Sequence, residues 1–424
     1  MPLTLRLALA GLLFLLVPVS ARAENWPQFR GPDGQGRSSE TGLPLKWSAS
    51  DNIAWKAELP GEGWSSPVVW GDRVFVTTAT DEGVSCRVLC LDRRTGAVEW
   101  NHEVFQQQQL RRKEGKNSYA TPTPVTDGER VYAVFGDGSI VALTVDGRVE
   151  WTNRDIKFYS QHGLGASPIL VGDLLVMPFD GSSEGPDKQV GWKIPWGDAV
   201  LLALDKRTGK EVWRGNRGKS RIAHVTPSLL VRDGASQIIS GAGDVVQGFD
   251  PRSGKLIWSV YSQGEGVVPS IVLGDDLVYS CSGFEEPTIR AIRPDGHGDV
   301  TKTHIAWEQK TGVPNQPSLL YAKPFLYSIT DGGIVACFDG ATGKVQWQKR
   351  IGGNHSASPV WAEGRIYSLS ENGETVVFTA GKKFEELARN ALDARCQASL
   401  AVSQGQLFVR RSALGVHREE VIDR

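Results

Sequence analysis

The chain has 424 residues, 47 Lys and Arg against 48 Asp and Glu, and it is rich in Gly (48) and Trp (14). The length allows a large core or more than one domain. Balanced charge with no long basic or acidic run excludes a nucleic-acid-binding surface, and short apolar runs broken by Gly and Asp favour many short strands over helices.

The N-terminus reads as a secretion signal. Arg6 supplies the positive charge, Leu7 to Val19 the apolar stretch and Ala21-Arg22-Ala23 the cleavage triplet. Thirteen residues are short for a bilayer span; an uncleaved anchor is the alternative. No Cys near the cleavage site is placed to take a lipid, and no later stretch looks transmembrane. The expected product is a monomer, periplasmic or extracellular, beginning at Glu24.

Residues 24–48 form an irregular arm in which Gly and Pro forbid regular structure. Trp26, Phe29 and Trp47 need a surface to pack on, so the arm is expected to strap one face of the body.

From residue 49 the chain repeats, and fixed-period self-similarity decides the fold. One phrase is Leu91-Asp92-Arg93-Arg94-Thr95-Gly96-Ala97-Val98-Glu99-Trp100, and it returns at Leu204 to Trp213, Phe249 to Trp258 and Phe338 to Trp347. The Asp starts a turn by bonding backbone N–H groups just ahead, the Gly supplies positive φ, and the next strand delivers a Trp. A second phrase is a small polar residue or Pro, an apolar strand, a tight turn and another apolar strand. It begins at Pro67, Pro124, Pro168, Pro227, Pro269, Pro317, Pro359 and, without Pro, at Leu400, on a base period near 42 residues. Four strands per unit at that period is the pattern of a propeller blade.

Outer strands carry Trp55, Trp100, Trp151, Trp213, Trp258, Trp307 and Trp347, with Phe384 expected to stand in for the next Trp. Eight Pro-type starts leave Trp55 as a spare outer strand. The fold expected is therefore all-β, an eight-bladed propeller of residues 49–424, closed by Ile53-Ala54-Trp55-Lys56 completing the blade begun at Gln397; seven blades is the alternative. The hairpin phrase is shortened at Val145 to Trp151 and replaced by a longer loop at Arg293 to Val300, which reads most simply as drift.

Most of the five Cys (Cys86, Cys90, Cys281, Cys337, Cys396) are read as buried small hydrophobes, with any disulfide pairing among them left open. Cys86 and Cys90 stand four apart on one strand, roughly 13 Å between Cα atoms, too far to bridge.

The Asp-x-x-Thr-Gly-Lys-x-x-Trp hairpin resembles the blade motif of pyrroloquinoline-quinone-type propellers, among them quinoprotein alcohol dehydrogenases and BamB-like proteins of outer-membrane assembly. The resemblance covers about residues 50 to 424, and the Trp26-Pro27-Gln28-Phe29-Arg30-Gly31-Pro32 arm is similar to exported members. Resemblance to the dehydrogenases would imply adjacent Cys beside the quinone, and a calcium ion held by carboxylates and an amide, with an Asp base. No two Cys are adjacent here, and no such oxygen-rich set is evident. The expectation is a non-catalytic binding or assembly scaffold of the periplasm or envelope, without cofactor or metal, recognising an unidentified protein or envelope ligand. The alternative is a quinone-dependent alcohol or sugar dehydrogenase using pyrroloquinoline quinone and calcium.

Candidate ligand-binding residues lie where the chain enters each blade at the axial funnel: Trp64, Tyr119, His162, His224, Asn315, Gln316 and His355. The three His have unequal offsets from their Pro phrases, so they are expected at different depths; convergent imidazoles bind a metal or anion. Two long excursions supply partner-binding candidates, Arg111 and Arg112 in one, Trp192 and Trp196 in the other.

Overall fold

The recurring hairpin is explained by its own hydrogen bonds. Asp92 Oδ1 accepts from the backbone N of Arg94 (3.0 Å) and Thr95 (2.8 Å) and from Thr95 Oγ1 (2.7 Å). Asp205 and Asp250 repeat the three bonds. The Thr hydroxyl, bonding the charged form, holds Asp92 and Asp205 below the ordinary carboxylate range. The Gly is needed twice over. Gly96 has φ +72°, and a Cβ there would stand 2.4 Å from the Trp55 ring; Gly209 stands in the same relation to Trp151 and Gly254 to Trp213. Each indole also donates to the hairpin it covers, Trp55 to Arg93 O (2.8 Å), Trp151 to Lys206 O (3.0 Å) and Trp213 to Pro251 O (3.0 Å). A Trp on one blade thus caps the hairpin of the next.

Opposite six of the outer-strand Trp stand small residues: Cys90 faces Trp100, Ala142 Trp151, Ala203 Trp213, Gly248 Trp258, Ala291 Trp307 and Cys337 Trp347, each followed by a one-residue register shift. The small partner makes room for the indole, and the bulge increases local twist. Phe384 is not the Trp substitute. Ala388 holds that position, opposite Val377, while Phe384 sits in the preceding hairpin, edge-on to Trp347 at 5.4 Å.

In this computed structural model, residues 24–262, 264, 266–413 and 416–423 are described; the signal expected at 1–23 lies outside them. They form eight sheets. Blade 1 runs Val68–Trp70, Arg73–Thr80, Ser85–Asp92, Val98–Gln106 from axis to rim, and blades 2 to 7 follow in chain order. Blade 8 takes Ala401–Ser403, Gln406–Ala413 and Val416–Ile422 from the C-terminal end and Ile53–Leu59 from the other, with Trp55 opposite Val421. The ring is an eight-bladed β-propeller closed by its N-terminal strand. Among the described residues there is no α-helix, and no helix long and apolar enough to cross a membrane.

The loop at Arg293 to Val300 is more than drift. Gly298–Asp299 adds a fifth strand, parallel to Trp258 and Ser259 of blade 4. With no hairpin carbonyl to meet, Trp258 donates to Gln237 Oε1 (2.8 Å), whose Nε2 donates to Pro294 O (3.0 Å).

The small polar residues of the second phrase form a belt around the axis. Backbone N of Ser66 donates to Thr123 Oγ1, Thr123 to Ser167 Oγ, Ser167 to Thr226 Oγ1, Ser318 to Ser358 Oγ and Ser358 to Ser399 Oγ, all at 2.9–3.0 Å. Buried backbone donors are thereby satisfied between blades, where no strand pairing reaches.

The arm closes one end of the axis. Trp26 is fully buried and pairs with Val69 of blade 1. Gln35 bonds Ser228 and Leu273 of blades 4 and 5, and Arg30, fully buried, donates to Leu319 O of blade 6 (2.7 Å). Ser38 and Gly36 bond Trp361 of blade 7, and Glu40 accepts from Gln404 and Gly405 of blade 8. These contacts fall on or beside the innermost strands and, at Gln404 and Gly405, on the turn that follows one, so the arm lies towards the face that also carries the Asp-Gly hairpins.

Candidate functional site

Strands alternate in direction, so loops leaving each outer strand emerge on the face opposite the arm. There, loops of blades 1 to 6 enclose a chamber of about 580 Å³, open at the mouth. Its walls include Asn117, Thr121, His162, Trp192, His224, Phe284 and Gln316.

The structure places the funnel candidates in two groups. His162, His224 and Gln316 share the chamber with Trp192. The rings of His162 and His224 lie 6.2 Å apart and tilted by 39°, and His162 meets Trp192 edge-on at 6.4 Å. Trp64 and Tyr119 instead line a neighbouring cavity of about 900 Å³ with Glu62, Lys113 and Arg395. Tyr119 donates to Arg111 O (2.8 Å), and Arg395 stacks over Trp64 at 5.3 Å. Asn315 stands beside the chamber, its backbone N bonded to Asp331 Oδ2 (2.6 Å). His355 is 1 % exposed; Nε2 faces Gly352 O (3.0 Å), and Nδ1 faces both Leu369 O (3.1 Å) and the Ser368 hydroxyl (3.3 Å), so a neutral ring can donate from Nε2 and accept at Nδ1, away from both cavities.

His224 is the most perturbed group in the chamber. Burial, assisted by His162, pushes its pKa down to about 3, so the imidazole is neutral at physiological pH. Nδ1 is sealed without a partner, against Gly165, where a Cβ would approach within 3.1 Å. An unbonded lone pair costs less than an unbonded N–H, which places the proton on Nε2.

The charges around the mouth are paired. Lys116 Nζ lies 2.6 Å from Glu371 Oε1, and Ser356 Oγ ties Glu371 to Gln316. Arg221 bonds Asp244 (2.6 Å) and Glu285 (2.9 Å), Lys193 reaches Glu285 (3.5 Å), and Arg112 pairs with Glu114 (3.4 Å). Arg111 pairs with Glu184 and so joins the two excursions; Trp196 lines the groove between them.

The Trp192 loop is built to be rigid. At its root Arg217 Nε lies 2.5 Å from Asp180 Oδ1, both side chains at most 1 % exposed. Gln189 O accepts from the backbone N of Trp192, Lys193 and Ile194. Gly191 has φ +89°, and a Cβ there would stand 2.4 Å from Ser182 Cα. Backbone bonds between Trp196 and Ser220 and from Ile222 to Gly191 dock the loop on the entry to blade 4.

Sequence reasoning missed Asn117 and Phe284. Asn117 sits in the first excursion, two residues before Tyr119. Phe284 follows Gly283 between two strands of blade 5, and an apolar aromatic at a loop tip was the available signal. The five Cys are buried, none adjacent to another, with thiol pKa values raised by burial. Among the described residues no group of three or more His, Cys, Asp or Glu could hold a metal ion.

A comparison with curated proteins gives no match. Among solved structures, BamB from Moraxella catarrhalis is 16 % identical with TM-score 0.58, covering 87 % of this chain and 96 % of that one. The quinohemoprotein alcohol dehydrogenase of Comamonas testosteroni is 12 % identical with TM-score 0.68, covering 94 % and 80 %. A europium-containing methanol dehydrogenase is 11 % identical with TM-score 0.68, covering 92 % and 89 %. At these identities the likeness is one of fold. The family model for outer membrane protein assembly factor BamB matches residues 46–234, 194–290 and 242–418, and on that extent the chain belongs to the BamB family of β-propellers.

Proposed function

We propose that the protein is an exported, non-catalytic scaffold of the cell envelope that binds a partner through the chamber on the face opposite its arm. The observation that carries the reading is the character of that chamber: aromatic and neutral polar walls, a neutral His224, and rim charges already paired. Such a surface binds without acid–base or redox chemistry of its own. Family membership supports an envelope setting, and Leu7 to Val19 with Ala21-Arg22-Ala23 supports export.

The dehydrogenase reading is favoured by one observation, the likeness of fold to the quinohemoprotein enzymes. The residues fit it poorly. Calcium takes six to eight oxygen ligands, while the chamber offers one carboxylate, Glu114, spent on Arg112, and the amides of Asn117 and Gln316. No adjacent thiols border it.

The test is a photo-crosslinker, p-benzoylphenylalanine, placed at position 192 or at position 256 on an outer hairpin of the other face. After irradiation of intact cells, an adduct of defined mass from position 192 alone, recovered in the periplasmic fraction, is expected. Adducts from neither position, or equally from both, would overturn the proposal.

A further inference from the structure

The binding proposal above leaves the chemistry of the partner open, and the chamber itself narrows it. Trp192 and Phe284 both line the chamber, from blades 3 and 5, and each is 37 % exposed. Most other exposed large apolar side chains, such as Val98, Val212 and Leu256, sit on outer strands far from the axis. Ile194, 45 % exposed, stands two residues on from Trp192 and does not line the chamber. The Trp192 indole has the Lys193 ammonium over its ring at 4.9 Å and His162 edge-on at 6.4 Å, so what it still exposes is held in place and less ordering entropy is lost on binding.

We infer that the chamber takes an uncharged aromatic side chain presented by an extended polypeptide segment, held between Trp192 and Phe284 with its neighbouring backbone over Ile194.

Charge complementarity selects an uncharged group. Lys116, Arg112, Arg221 and Lys193 have carboxylate partners of their own, so an entering charge would be desolvated with nothing to pair it. Held neutral by burial, His224 offers Nε2–H as a hydrogen-bond donor rather than a charge. A ring meets aromatic neighbours favourably in tilted or edge-on packing, and a backbone carbonyl beside it is the natural acceptor for the imidazole. An exposed apolar side chain outside the chamber, Ile194, on the same loop as Trp192, gives a segment longer than one residue a second place to rest, which a single small molecule would not use. Gly115, Gly165 and Gly266 in the wall put no side chain in the way of a backbone. Aromatic anchors in such pockets dominate polypeptide binding.

The test is fluorescence anisotropy of labelled pentapeptides Ala-Ala-Trp-Ala-Ala and Ala-Ala-Glu-Ala-Ala on the full-length purified protein, with N-acetyl-tryptophanamide as competitor. The Trp peptide should bind about tenfold or more tightly than the Glu peptide. Trp192→Ala and Phe284→Ala, checked to melt like the parent, should each weaken it by a similar factor, and Leu256→Ala should leave it unchanged. Equal binding of the two peptides, or no effect of either chamber variant, overturns the inference. Competition by N-acetyl-tryptophanamide at the affinity of the peptide itself overturns the polypeptide part and assigns a small aromatic ligand. Either failure leaves the non-catalytic reading standing; that reading falls instead if the same preparation takes up quinone and oxidises alcohol.

Discussion

Trp55→Ala isolates what ring closure contributes. The indole is 8 % exposed, donates to Arg93 O at 2.8 Å and covers Gly96 of the next hairpin. Its strand pairs with Val416–Ile422, more than three hundred residues away in sequence. Removing a buried Trp side chain costs about 3–5 kcal/mol, and losing the bond to Arg93 O about 0.5–1.5 kcal/mol within that total. Trp213→Ala is the internal standard, since that indole is 7 % exposed and donates to Pro251 O at 3.0 Å within an uninterrupted part of the chain. Urea unfolding followed by fluorescence and far-UV circular dichroism gives both values. The two variants should fall within about 1 kcal/mol of each other, a large part of a net stability of about 5–15 kcal/mol. Trp55→Phe should recover most of the loss, because it keeps the ring and forfeits the bond. If Trp55→Ala unfolds with the parent while Trp213→Ala does not, the N-terminal strand does not carry the closure.

Three further outcomes are expected. Arg217→Met should cost about 3–5 kcal/mol by leaving the Asp180 carboxyl buried and alone, and adding Asp180→Asn should restore part of it, read as a double-mutant cycle in urea. Gly209→Ala should cost more than Gly172→Ala: both have positive φ, worth about 1–2 kcal/mol, but only at Gly209 would the new Cβ meet a ring, Trp151 at 2.4 Å. Glu419 in blade 8 is fully buried, and desolvation raises its pKa to about 8 from an ordinary 4.5, against the pull of Arg410. The unfolded chain therefore binds fewer protons than the fold between those values, and stability falls as pH rises from about 4.5 through about 8. Glu419→Gln should remove that fall, its advantage over the parent growing between pH 5 and pH 9 in thermal scans.

The fold was legible because its stabilising device is local and repeated. Asp, Thr, Gly and Trp at fixed spacing build a turn whose partners lie within the same ten residues, and only the recipient of the indole is remote. Where the device is interrupted, the sequence misled. Phe384 looks like a replacement Trp because spacing alone cannot show that Ala388 holds the position opposite Val377. The Gly298–Asp299 strand is invisible because it pairs with blade 4, not with its own blade. The site was legible in part. His162, His224, Gln316 and Trp192 stand together because blade geometry brings successive axial loops to one mouth. That Trp64 and Tyr119 belong to another cavity, and that His355 is consumed by backbone carbonyls and the Ser368 hydroxyl, depends on side-chain direction across blades, which no periodicity encodes.

The central claim is that this propeller binds without quinone chemistry. Pyrroloquinoline quinone titrated into the purified protein with calcium, followed by absorbance and by dye-linked alcohol oxidation, tests it most directly. No saturable uptake and no alcohol-dependent dye reduction are expected; stoichiometric uptake with turnover would contradict a propeller that binds without quinone chemistry.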